Sequence, residues 1–287
     1  MKRRVWIIGP VAWDVVLYVN NFPIAGQYTP GIRTIERVGG SAANVATALA
    51  TSGAEVGFLT YVGNDDIGEK LRQAIDDSRI VIPVIQEVSA PSMRALILID
   101  NTGDRSVISM SPSQLSELSL KQVQLQPSDI VVFVNWRSFY LDNLKFAQSK
   151  GCLTIVGAEA LTDKTVTHAE YIIGSRSDVG GLEITPEMLD RFTTIVLTDG
   201  ASGITTYSKG SISHQNSFPT TVIDTTGAGD AFLAGYLASL SSGIVNPQRA
   251  MEIGARWAAL MVSVEASIPP SWEKIPGWRD LLVDEIA

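Results

Sequence analysis

Cysteine is almost absent: Cys152 stands alone, so no disulfide can close within the chain, a composition that fits a reducing compartment. Histidine is nearly as scarce, and His168 and His214 are too isolated for metal-ligand spacing. Basic charge is in deficit. Twenty-two Lys and Arg against 30 Asp and Glu leave a net charge of −8, which argues against a nucleic-acid or anionic-membrane partner. A phosphate-bearing ligand is still allowed, because backbone amides at loops and helix ends bind phosphate locally. No apolar run reaches bilayer length, and no repeat, low-complexity tract or linker interrupts the chain. The opening MKRRVWIIGPVAW has the basic-then-apolar look of a leader, but Asp14 ends the run, and a buried first strand is the expectation. The expected protein is soluble and cytoplasmic.

What the chain does contain is alternation. Short β-branched runs at Val5–Ile8, Val56–Tyr61, Ile130–Val134, Leu153–Val156 and Thr194–Leu197 read as strands. Between and after them, helices are expected at Ser41–Thr51 (Ser41 as candidate cap, Gly53 as stop), Asp65–Asp76, Leu141–Lys150, Ala228–Leu240 and Pro247–Val264. Such a rhythm builds a mostly parallel sheet covered by helices on both faces, with ligands beyond the carboxyl ends of the strands. Two stretches break it. Val15–Asn20 with Tyr28–Arg37, and Arg94–Ile99 with Arg105–Ser109 around the NTGD turn, read as strand pairs without helices. They form either a small separate sheet, serving as a lid or a dimer contact, or an edge extension of the main sheet.

Chemistry concentrates in DTTGAGDAFLAG at 224–235. A strand end enters a turn at Gly227–Ala228–Gly229 and a helix follows, so successive amides and the helix dipole make an anion pocket. Asp230 sits in the first turn beside that pocket. A carboxylate next to an oxyanion site suits phosphoryl transfer: it accepts a proton from a substrate hydroxyl while the amides hold the transferring group. An aspartate that merely complements the helix dipole is the alternative. A dinucleotide fingerprint fails because Phe232 stands where a third small residue is needed, and GxxxxGK[ST] is absent.

This run resembles the C-terminal signature of the ribokinase-like (PfkB) family of carbohydrate and nucleoside kinases. VGGSAANVATALATSGAEVGFLTYVGNDDIG at 38–68 resembles that family's first signature, and Asp14 after the opening strand is a third match. The resemblance runs from about residue 4 to residue 266. It implies a three-layer α/β/α fold, one kinase domain over 1–287, with a small β lid from about 15–38 and 92–110. It implies an acceptor site of Asp14, Gly39, Gly40 and Asn44, where a carboxylate and an amide grip polyol hydroxyls. Thr198, Gly200 and Gly203 in TDGASGITTY would lie along the nucleotide, with Ala255, Ala258 and Ala259 near the base. Each has a plain structural reading too, as turn, hairpin or helix packing.

The departures fall on the metal side. The family's Asn-x-x-Glu becomes Ser175 and Asp178 in IIGSRSDVGGLE, leaving Asp178 as the candidate for Mg²⁺ and Arg176 as a candidate phosphate contact. Glu159 stands two residues beyond the point where sugar kinases carry an aspartate. Asp224 and Thr226 match half of a monovalent-cation site, which makes K⁺ a candidate only. Trp13 and Trp136 could face the acceptor, and Trp136 would then favour a ring-bearing substrate. The expected activity is transfer of the γ-phosphoryl of ATP, with Mg²⁺, to a hydroxyl of a sugar or sugar-containing molecule, with Asp230 as base. A nucleoside kinase of the same fold and a sugar-binding regulator without turnover are the alternatives.

Overall fold

The computed structural model describes residues 3–111, 115–244 and 246–282. Its centre is a nine-stranded sheet built from β1 (Val5–Ile8), β4 (Val56–Gly63), β5 (Ile82–Val88), β8 (Ile130–Phe133), β9 (Leu153–Val156), β10 (Ala169–Ser175), β11 (Phe192–Thr198), β12 (Ile204–Ser208) and β13 (Ser211–Gln215). The strand order is β13-β12-β11-β10-β9-β8-β1-β4-β5. Pairing is parallel from β5 across to β11 and antiparallel at the β12–β13 edge. β1, at the centre, is apolar throughout because it is covered on both faces. Val5 and Ile7 point into one core with α1 (Ser41–Thr51), α5 (Ala228–Ser242) and α6 (Pro247–Val262). Trp6 and Ile8 point into the other, with α3 (Leu141–Ser149).

The helix stations follow local chemistry. α2 (Asp66–Asp76) starts on Asp65, whose carboxylate accepts from the Gly68 amide at 2.7 Å. The same carboxylate accepts from the Ser92 amide and hydroxyl at 2.8 and 2.6 Å, tying this turn to the chain that enters the small sheet. α1 has no side-chain cap: Gly40, at φ 91°, occupies the cap position and Ser41 is the first helical residue, not the cap. A Cβ on Gly40 would lie 2.7 Å from the Pro10 carbonyl, so only glycine fits this entry. α4 (Pro186–Arg191) is a short connector into β11.

The two irregular hairpins form a separate four-stranded sheet and not an edge of the main one. Its strands are β2 (Ala12–Val19), β3 (Gly31–Gly39), β6 (Arg94–Ile99) and β7 (Arg105–Ser109), in the order β3-β2-β6-β7. β2 and β6 pair in parallel and join the hairpins. Val16, Ile97 and Ile99 make a small buried cluster on the face that also carries Asp14. Among the described residues, no helix is long and apolar enough to cross a membrane.

Candidate active site

The sequence motifs converge where the carboxyl ends of the parallel strands meet the small sheet. β1 runs through Gly9 and Pro10 into β2, which delivers Asp14, and the β3 end delivers Gly39 and Gly40 directly into α1. A Cβ on Gly39 would collide with the Asp14 carboxylate, so this glycine makes room for that group. Asn44 lies one turn into α1, buried, and its Nδ2 donates to Asp230 Oδ2 at 2.8 Å. Its Oδ1 is buried with no hydrogen-bond partner.

Asp230 stands in the first turn of α5 behind Gly227, which caps the helix at φ 76°. A Cβ on Gly227 would lie 2.7 Å from the Ser267 carbonyl, whereas one on Gly229 would meet nothing within 4 Å. The first bond of the helix ladder runs from the Ala231 amide to the Gly227 carbonyl, leaving the Gly229 and Asp230 amides at the open helix start. Burial pushes the Asp230 carboxyl up to about 6, opposed by the Asn44 hydrogen bond and then by the Arg105 charge. Burial likewise pushes Asp14 up to about 6; Arg37 pulls it down and Asp230 adds to the rise. A carboxylate held near 6 is ionised at neutral pH yet basic enough to take a hydroxyl proton in a transition state.

Two residues join this centre that motif reading missed, and a third ties the small sheet to the main body. Arg37 sits opposite Asp14 in the β2–β3 register, and Arg105 approaches Asp230 from β7. Glu265, in the loop after α6, meets both Tyr18 and Arg33 of the small sheet. Only the register of the hairpins could have placed the two arginines. Both lie in runs that read simply as polar strand.

The candidate nucleotide residues cluster at the end of β11. Thr198 closes that strand, Gly200 starts a single helical turn at φ 50°, and Gly203 turns the chain into β12 at φ 95°. Arg176 is engaged by protein: its Nη2 donates to the Tyr207 hydroxyl at 2.7 Å, and Asp199 lies 3.9 Å away. Asp178 serves a capping box, its Oδ2 accepting from the Ser175 amide at 3.0 Å. Burial raises its carboxyl, the Ser175 amide opposes this, and nearby Glu159 adds to it. Two carboxyls that repel each other are a reasonable fit to a divalent cation, although Glu159 is already paired to Arg137 at 2.8 Å. Among the described residues no trio of His, Cys, Asp or Glu is grouped to hold a metal unaided.

Ala255 is core, while Ala258 and Ala259 are only partly covered. Trp136 does not belong to the acceptor site. Its side chain is 2% exposed, packed with Phe133 and Tyr140, and its indole N–H donates to Asp163 at 2.9 Å. The strand end that suggested a cleft position turns back into the core at Asn135, φ 57°. Trp13 alternates away from Asp14 along β2 and donates to Glu36. Cys152 is buried, and burial pushes its thiol up to about 11.

An α/β core crossed by a small sheet, with a carboxylate at a glycine-capped helix start, is an arrangement suited to phosphoryl transfer onto the hydroxyl of a small molecule. The family profile described as "pfkB family carbohydrate kinase" matches residues 2–148 and 164–274, and the chain belongs to that family. A ribokinase of Haemophilus influenzae is 26% identical over 301 residues, covering 96% of this chain and 98% of its own. The ribokinase of Thermotoga maritima shares the fold with a TM-score of 0.81 at 24% identity, over 98% of this chain and all of its own. A nucleoside kinase of Burkholderia thailandensis, solved with inosine, also reaches 0.81 at 18% identity, over 96% and 97%.

Proposed function

We propose that the protein transfers the γ-phosphoryl group of ATP to a hydroxyl of a sugar or sugar-containing small molecule, with Asp230 as general base. The observation that carries this reading is Asp230 in the first turn of α5, fixed by Asn44 at 2.8 Å and near enough to Asp14 for its charge to help raise that carboxyl. Asp230 accepts the proton of the acceptor hydroxyl. The amides of Gly227 and Gly229 hold the phosphoryl oxygens as charge builds on them, and Ala228, whose amide bonds the Thr225 carbonyl at 3.4 Å, turns from it to join them. Asp14 and Asn44 orient the acceptor, and the small sheet acts as a lid that excludes water and limits ATP hydrolysis. Thr198, Gly200 and Gly203 would follow the nucleotide, and Arg176 would reach a phosphate only by leaving Tyr207. Mg²⁺, when bound, would neutralise phosphate charge, with Asp178 the side chain available to it through water. Potassium is not part of the proposal, because the Asp224 carboxylate already has the Arg37 guanidinium at 3.7 Å as its counter-charge.

The test is a coupled ADP-release assay with D-ribose, D-fructose, inosine and cytidine. Wild type should phosphorylate at least one of them. Asp230→Asn should bind that acceptor nearly as well and lose turnover by about 100-fold or more. A variant with near-normal turnover would dismiss Asp230 as the base. A wild type that binds an acceptor and phosphorylates none would make the protein a binding member of the family.

A further inference from the structure

We infer that Arg37 is a specificity-determining residue of the acceptor site, donating hydrogen bonds to the oxygens of a vicinal diol whose hydroxyls Asp14 accepts from. The inference rests on the functional reading above and names a determinant it does not contain. Nε, Nη1 and Nη2 of Arg37 are all buried, and none has a hydrogen-bond partner. The closest acid, Asp224, lies 3.7 Å away, at charge-pair range but beyond a hydrogen bond. Asp14 stands opposite Arg37 in the β2–β3 register.

Arginines that serve only the fold look different in this same protein. Arg4 is bonded to Asp129 through Nη2 at 2.7 Å and Nε at 3.3 Å, and to the Gln124 carbonyl at 2.7 Å. Arg191 donates to the carbonyls of Val166, Leu161, Ala160 and Asp163. Desolvating a guanidinium without such partners is costly, and Asp224 Oδ2 at 3.7 Å stands near Nη2 alone, so Nε and Nη1 are left with no acceptor from the protein.

The groups around the cleft say what that acceptor is. Arg37 offers only donors, whereas Asn44 Oδ1 and Asp224 Oδ2 are buried acceptors without partners. Asp14, ionised above its pKa of about 6, also only accepts. Hydroxyl groups satisfy both sets at once, since each donates once and accepts as well. A hydroxyl can therefore bridge Asp14 and Arg37, which an ammonium group without a lone pair cannot do, and a second, adjacent hydroxyl takes up another of the three unpartnered Arg37 donors.

The experiment compares wild type, Arg37→Met and Arg37→Lys, with D-ribose, D-fructose and inosine as probes and with KM for acceptor and for ATP measured separately. Losing hydrogen bonds from a charged donor should raise the acceptor KM about 10- to 100-fold. KM for ATP should stay within about twofold, the profile of a lost ground-state contact. Arg37→Lys keeps the charge beside Asp224 but not the planar fork, and should fall between the two. An unchanged acceptor KM in Arg37→Met overturns the inference. So does an equal rise of both KM values together with a lower melting temperature, which would make Arg37 a brace for the Asp224 loop. If wild type phosphorylates none of the probes, the functional reading fails first and this inference with it.

Discussion

Removing the amide of Asn44 should move the pH at which Asp230, the proposed base, ionises. Asn44 Nδ2 donates to Asp230 Oδ2 at 2.8 Å from a buried position, and this bond opposes the burial that raises Asp230 to about 6. A hydrogen bond to a charged group contributes roughly 1.5–3 kcal/mol, which at 1.36 kcal/mol per pH unit is about 1–2 units. In Asn44→Ala the base should therefore titrate near about 7–8, so its ionised fraction at pH 7 falls from about nine-tenths to between about one-half and one-tenth. The assay is kcat/KM for the acceptor from pH 5 to 9.5, whose acid limb reports the free enzyme. Asp14 also titrates near 6 and feels Asp230, so the two carboxyls act as a coupled pair. Repeating the profile on an Asp14→Asn background leaves a single limb to follow. The height of the plateau will change too, because Asn44 is proposed to touch the acceptor, but the position of the limb is independent of that. A limb that stays near 6, or moves toward acid, refutes the tuning of Asp230 by Asn44.

Asp14→Asn should stabilise the fold at the expense of activity. A carboxyl that titrates near 6 when folded and at 3.8 otherwise binds more protons in the folded state, so stability is full below about pH 4 and declines as pH rises through 6. The uncharged variant should gain about 1–3 kcal/mol at pH 7.5 and almost nothing at pH 4, measured by urea denaturation at both values. A loss at pH 7.5 would show that Arg37 depends on the Asp14 charge more than burial penalises it. Trp136→Ala should cost about 3–5 kcal/mol as a core truncation, and leave the acceptor KM of the folded protein unchanged. A raised KM without lost stability would return Trp136 to the site.

The departures from the family's metal motif also take physical form in the fold. Asp178 spends one carboxylate oxygen on the Ser175 amide, and Glu159 spends both of its own on Trp136 and Arg137. The carboxylates survive at the right end of the sheet, but as members of local hydrogen-bond sets.

The sequence by itself determined the layers of this protein and its catalytic candidate. Apolar, β-branched runs such as Val5–Ile8 and Leu153–Val156, four residues long between turn signals, point to strands covered on both faces, and the glycine-bracketed turn before Asp230 points to a helix start with free amides. These are short-range consequences of periodicity and backbone freedom, so they are legible within a few residues. Tertiary structure alone decided which side chains share the cleft. Whether Arg37 faces Asp14, and whether Trp136 lines the pocket or the core, depends on strand register and on one turn at Asn135. A one-residue slip reverses every side chain in a strand, and local sequence does not fix that register. The joining of two hairpins through the β2–β6 pair is of the same kind, since its partners lie some 80 residues apart in sequence. Asp230 was therefore readable from its own loop, while the arginine opposite Asp14 emerged only once the hairpins were paired.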